Sequence, residues 1–156
     1  MSKKKPSVMF VCLGNICRSP AAEAILRKME PDWEIASSGI GSWHVGHLPD
    51  ERMREAALGR GVPLTSRAQQ FLLGHYDEYD LILAADLEVL HHLQAHAKTP
   101  SDKAKVHLMT AFSEMFRNEE VPDPYFQGGN AFDLVLDILE DACRGISQHI
   151  KKSSCQ

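Results

Sequence analysis

Val8, Met9, Phe10 and Val11 form a short, unbroken apolar run that reads as a buried strand. Residues 12–19 follow as a loop. Ser19 as a cap and Pro20 at the first helical position then predict a helix, whose apolar stripe includes Ala21, Ala22, Ala24, Ile25, Leu26 and Met29. Residues 33–37 alternate and read as a second strand. Gly39, Gly41 and Gly46 make 39–47 a loop. A helix is expected over 50–58, with Met53, Ala56 and Ala57 on one side and Gly59, Gly61 and Pro63 ending it. A short helix is expected over 66–72. Leu81, Ile82 and Leu83 mark a central strand over 80–85. Leu87, Leu90 and Leu93 align on a helix over 87–96, and residues 106–109 form a fourth strand. Two prolines and two glycines make 121–129 a loop. The last helix, 132–150, carries the stripe Leu136, Leu139, Cys143 and Ile146. Strands alternating with helices predict an α/β layer fold on a mainly parallel sheet.

At 156 residues the chain suits one domain, read as 8–150 between a flexible basic tail (1–7) and a C-terminal tail (151–156). A chain this size buries roughly two-thirds of its unfolded surface, so its core needs no disulfide. Its formal charge of −4 offers no basic excess for a nucleic-acid backbone. The Lys3–Lys4–Lys5 run is a solvated tail. No stretch reaches the length of a membrane span, and no secretory leader pattern is present. Cys12, Cys17, Cys143 and Cys155 therefore fit a reducing, cytoplasmic setting. Cys143 belongs to the apolar stripe of its helix and Cys155 to the tail. The eight histidines are scattered. His91, His92 and His96 share one helix, but a solvated face explains them, and no metal site or other cofactor is expected.

The chemistry concentrates in Cys12-Leu13-Gly14-Asn15-Ile16-Cys17-Arg18, which leaves an apolar strand and enters a helix. In a parallel sheet that is the carboxyl end of a strand, where ligands bind. Backbone N–H groups of such a turn, with the helix start, attract an anion. Gly14 permits backbone geometry that a side chain resists. Arg18 supplies a planar fork matching two phosphate oxygens. The same donors, with the Ser19 hydroxyl, favour the thiolate of Cys12, which is the nucleophilic form. A phosphate ester also needs a proton for its leaving oxygen, and Asp123, between Pro122 and Pro124, is the best placed source.

The segment from Val11 to Pro20 resembles the low-molecular-weight protein tyrosine phosphatase family, and so does Val121-Pro122-Asp123-Pro124-Tyr125 followed by Gly128 and Gly129. Trp43-His44-Val45-Gly46 and Tyr79-Asp80-Leu81-Ile82-Leu83 are similar to its middle region. The resemblance implies a four-stranded parallel sheet flanked by helices on both faces, with the phosphate-binding loop after the first strand. It implies hydrolysis of phosphotyrosine in proteins, and of small aryl phosphates, through a phosphocysteine intermediate. Cys12 attacks phosphorus, Arg18 holds the equatorial oxygens, and Asp123 acts first as acid and then as base. Asn15 keeps the loop wound, Ser19 supports the thiolate, and Trp43 and Tyr125 wall the pocket. Cys17 is implied as a reversible disulfide partner that guards Cys12 against over-oxidation. Exposed Trp43 offers a contact for weak self-association, secondary to facing substrate.

Several positions depart from the family pattern. Phe126 stands where a second tyrosine is common, and Gln127 precedes the glycine pair. Ser66 replaces a histidine that supports the loop asparagine in animal members, so Asn15 needs another partner. Gln69 and Ala85 replace a common arginine and methionine, and His44 replaces an acidic residue at the pocket rim. Three alternatives stay open. A protein arginine phosphatase carries a smaller threonine where Ile16 stands. An arsenate reductase needs a relay of resolving cysteines, and none lies in the middle of this chain. A non-catalytic phosphate-binding module needs neither Cys12 nor Asp123.

Overall fold

The computed structural model describes residues 5–154. Lys3, Lys4 and Cys155 lie outside the described residues. Four strands form one sheet: β1 (Ser7–Cys12), β2 (Glu34–Gly39), β3 (Leu81–Ala84) and β4 (Val106–Leu108). Their order is β2-β1-β3-β4, and every pairing is parallel. The helices are α1 (Arg18–Met29), α2 (Glu51–Leu58), α3 (His75–Glu78), α4 (Leu87–His96), α5 (Pro100–Ala104) and α6 (Ala131–Ser154).

The central position of β1 explains its unbroken apolar run. Side chains alternate across a strand, so Val8, Phe10 and Cys12 enter one core while Met9 and Val11 enter the other. The first core holds α1, α2 and α6, including the expected α6 stripe of Leu136, Leu139, Cys143 and Ile146. The second holds Tyr76 and Tyr79 around α3, with Val89 and Leu93 from α4. Helices therefore cover both faces of the sheet. None among the described residues is long and apolar enough to cross a membrane.

Several local expectations give way to tertiary contacts. Residues 66–72 do not form a helix. They run extended beside the end of β2: Gly39 N–H donates to the Gln69 carbonyl (2.8 Å), and Phe71 N–H to the Gly39 carbonyl (2.8 Å). Gly39 accordingly belongs to β2 rather than to a loop. The buried face of α4 is Val89 and Leu93, one turn apart, while Leu87 is exposed. The short α3 and α5 have no expected counterpart, and α6 runs beyond Ile150 to Ser154. Helix α1 starts at Arg18, with Cys17 at its cap position and no side-chain cap bond. Ser19 and Pro20 lie inside the first turn instead. Proline is tolerated there because a first-turn N–H has no partner within the helix.

After β1 the chain moves to one edge of the sheet, and after β3 to the other. The crevice between the carboxyl ends of β1 and β3 is therefore the switch point at which α/β sheets bind ligands. The loop after β1, the turn after β3 and the long segment after β4 converge there.

Candidate active site

The loop between β1 and α1 is held by its carbonyls. Those of Cys12, Leu13 and Ile16 accept from the N–H groups of Ile40 (3.0 Å), Gly41 (3.0 Å) and Asp50 (2.7 Å). No hydrogen bond among the described residues takes the N–H groups of Gly14, Ile16 or Cys17, which leaves them available for an anion. Gly39 makes this packing possible. A Cβ there would sit 2.9 Å from the Gly14 carbonyl carbon and 3.0 Å from the Asn15 nitrogen.

Asn15 winds the loop through a left-handed turn (φ 58°), a conformation asparagine tolerates better than most residues. Its Nδ2 donates to the hydroxyls of Ser19 (2.7 Å) and Ser37 (3.0 Å), and its Oδ1 accepts from Gln69 N–H (2.9 Å). These are the partners that replace the missing histidine. Ser66 joins only at second hand. Its hydroxyl and that of Ser37 both donate to the buried Glu23 carboxylate, at 3.0 and 2.5 Å. Gln69 adds a bond from Nε2 to the Ser37 carbonyl (2.9 Å).

The Cys12 sulfur lies 3.0 Å from the Ser19 hydroxyl and accepts from Asn15 N–H (3.2 Å). Because Asn15 already donates to the Ser19 oxygen, the hydroxyl proton is left to point at the sulfur or at the Ser38 carbonyl (3.3 Å). The shorter approach is to sulfur, and a thiolate is the stronger acceptor. Arg18 is buried, with Nη1 donating to the Asp86 carboxylate (2.8 Å) and the Val121 carbonyl (3.0 Å). The opposite edge, Nε and Nη2, is left for two oxygens of a ligand. Burial opposes the Arg18 charge, but Cys12, followed by Asp86, outweighs it and holds the pKa above its ordinary value. Cys17, five residues from Cys12, is also buried. Burial pushes its thiol strongly up, and the charges of Asp50, Cys12 and Asp123 add to the effect, so it stays protonated at neutral pH.

Asp123 comes from the segment between β4 and α6. Its Oδ1 accepts from Tyr125 N–H (3.0 Å), closing a turn, while Oδ2 lies 3.6 Å from Arg18 Nη2. Cys12, Arg18 and Asp123 line one cavity of about 240 Å³. Trp43 and Tyr125 line it too, as do Leu13, Gly14, Ile16 and Cys17, whereas Asn15 is buried behind the loop. The cavity also takes in His44 and Phe126. A cysteine sulfur, a guanidinium edge and a carboxyl group lining one cavity are groups of the kinds that can attack, clamp and protonate a phosphoryl ester.

Sequence reasoning missed Asp86. It sits immediately after the short segment that follows β3, where it both caps α4 by accepting from Val89 N–H (2.9 Å) and grips Arg18. An aspartate before a helix, after a strand adjacent to β1, was the available signal. Glu23 and Ser37 left no such mark. Among the described residues, no three His, Cys, Asp or Glu side chains are grouped to hold a metal, and His92 and His96 stack on each other 4.2 Å apart.

Residues 7–155 match the family model for low molecular weight phosphotyrosine protein phosphatase. The chain is 40% identical over 151 residues to a putative low molecular weight protein-tyrosine-phosphatase of Synechocystis, covering 93% of this chain and 96% of that one. The solved structure of a protein tyrosine phosphatase from Entamoeba histolytica superposes with a TM-score of 0.90 at 34% identity, over 96% of this chain and 99% of that one. A Drosophila arginine phosphatase superposes with a TM-score of 0.85 at 32% identity, over 92% and 97%.

Proposed function

Since the chain belongs to the low molecular weight phosphotyrosine protein phosphatase family, we propose that Cys12, Arg18 and Asp123 are the groups with which it hydrolyses phosphotyrosine in proteins and small aryl phosphates. The observation that supports this assignment is the single cavity lined by all three, with Trp43 and Tyr125 along its walls. Those two rings suit a flat phenyl group. The Cys12 thiolate attacks phosphorus as the bond to the phenolic oxygen breaks, and Asp123 gives that oxygen its proton. Arg18 and the loop N–H groups hold the three equatorial oxygens, whose charge is greatest during transfer. Asp123, now a carboxylate, takes a proton from water, whose oxygen attacks phosphorus. The S–P bond breaks, releasing inorganic phosphate and restoring both groups. No cofactor enters this sequence.

Tyrosine-phosphorylated proteins in the cytoplasm are the natural partners of such a site, and three buried free thiols suit a reducing compartment. Phosphoarginine is the second reading, raised by the Drosophila relative. Ile16 lines the cavity and weighs against it by narrowing the space for a phosphoguanidinium group. Rates on matched phosphotyrosine, phosphoarginine and phosphoserine peptides decide between them, with an arsenate assay alongside. Phosphotyrosine is expected to be fastest. A faster phosphoarginine rate transfers the assignment to the second reading, and arsenate reduction or absence of turnover on every peptide removes it. Weak self-association through Trp43, 66% exposed, would appear as a concentration-dependent sedimentation coefficient that Trp43→Ala abolishes.

Cys17 is the expected redox partner. Hydrogen peroxide would convert the Cys12 thiolate to a sulfenic acid, and the Cys17 thiol would condense with it, forming a disulfide and releasing water. Peptide mapping after mild peroxide treatment should recover Cys12 linked to Cys17, and dithiothreitol should restore activity. Sulfinic Cys12 beside an intact Cys17 thiol would rule the pairing out.

A further inference from the structure

The segment carrying Asp123 has few ties to the body of the protein. Val121 is fixed at both ends of its peptide: its N–H donates to the Ala85 carbonyl (2.8 Å), and its carbonyl accepts from Arg18. Beyond it, residues 122–130 hydrogen-bond mainly to themselves. Tyr125 N–H turns back to Asp123, and Gln127 N–H to the Pro124 carbonyl. Among the described residues, one side chain outside the segment donates hydrogen bonds to its backbone. That side chain is Arg52, whose Nη2 reaches the Tyr125 carbonyl at 2.8 Å and whose Nη1 reaches the Gln127 carbonyl at 3.5 Å. The guanidinium also lies 5.6 Å from the centroid of the Tyr125 ring and 4.7 Å from that of Phe132, within range of both π faces.

Arg52 is itself held. Asp50 caps α2 and accepts from Arg52 at three nitrogens: the backbone N–H (2.9 Å), Nε (3.1 Å) and Nη2 (3.0 Å). The backbone N–H of Asp50 in turn donates to the carbonyl of Ile16 in the anion loop (2.7 Å). A continuous path therefore runs from the anion loop through Asp50 and Arg52 to the acid-bearing segment. Its two middle members, Asp50 and Arg52, do not line the cavity that holds Cys12, Arg18 and Asp123.

We propose that Arg52 is a positioning residue that latches the Asp123 segment to the anion loop and so sets the acid over the leaving oxygen. This rests on the assignment of Asp123 as the acid. Reaching a carboxylate through two nitrogens and two carbonyls through Nη1 and Nη2 uses the guanidinium fork, and a lysine ammonium would keep the charge while losing that geometry. The latch acts through Asp123, as acid and then as base, because Arg18 and the loop amides are held by other partners.

The test compares wild type, Arg52→Ala and Arg52→Lys on aryl phosphates of graded leaving-group pKa, each also in an Asp123→Ala background. For Arg52→Ala, kcat/KM, which reads the steps up to departure of the phenol, is expected to fall about 10- to 100-fold on phenyl phosphate, the scale of a 1 Å misplacement. It should change little on dinitrophenyl phosphate, and Arg52→Lys should fall between. Inhibition by orthovanadate, which reads the anion loop, should stay as in wild type, which also shows that the variant is folded. In the Asp123→Ala background Arg52→Ala should add no further loss. An equal loss on every leaving group, weakened vanadate inhibition, or an undiminished loss without Asp123 would each overturn the latch. If wild type itself hydrolysed no aryl phosphate, the phosphatase assignment would fall with it. If wild type is active and Asp123→Ala shows the acid signature while Arg52→Ala does not, the latch alone falls.

Discussion

Cys12→Ser should fold as wild type does and lose at least about 10⁴-fold in turnover of an aryl phosphate, the scale of deleting a covalent nucleophile. The side chain is buried and the substitution exchanges sulfur for oxygen in the same shape. The loss is chemical. Sulfur faces the Ser19 hydroxyl at 3.0 Å and Asn15 N–H at 3.2 Å, with Arg18 beside it in the same cavity. Donors of this kind favour an anionic nucleophile, and a thiol is far more acidic than a hydroxyl. A serine hydroxyl starts far higher, and the same donors leave it protonated. The loop amides and Arg18 remain, so the variant should still bind phosphate or vanadate. A melting curve, an anion titration and a single-turnover assay on one preparation separate the three properties. Wild-type turnover in the serine variant would remove Cys12 from the mechanism.

Asp123→Ala should lower kcat/KM on phenyl phosphate, which reads the steps up to loss of the phenol, by about 10²- to 10⁴-fold, the range for general acid catalysis. The deficit should shrink steadily as the leaving phenol becomes more acidic, because a good leaving group needs no proton. Asp123 is partly exposed and its hydrogen bond is a local turn to Tyr125, so the fold should survive. The slope of log kcat/KM against leaving-group pKa is the measurement. A parallel downward shift across the whole series would mean that Asp123 positions substrate or balances Arg18, 3.6 Å away, rather than donating a proton.

The elements and the site were unequally legible in the chain. The apolar run 8–11 announced a buried strand, and the α6 stripe announced its own buried side. Residues 66–72 misled, since nothing local records that their backbone groups bond to Gly39 and His47. Ser19 misled in a similar way. A serine before proline is a strong cap signal, yet its hydroxyl is engaged with the Cys12 sulfur, Asn15 and the Ser38 carbonyl inside the first turn. Arg52 was invisible as a site residue because it acts through the Tyr125 carbonyl, far away in sequence, and Asp86 showed only as an aspartate between a strand and a helix, with its partner Arg18 equally distant.

Reading the chain alone was enough to establish the α/β layering, the strand–loop–helix setting of Cys12 and Arg18, and the chemical need for an acid supplied by another loop. Those features are local: side-chain periodicity, backbone freedom at glycine, and the reactivity of a thiol beside a guanidinium. Only the folded molecule decided which long-range partners hold that chemistry in place. Parallel pairing brings the ends of β1, β3 and β4 to one edge, and the hydrogen bonds that then form join residues that no pattern along the chain connects.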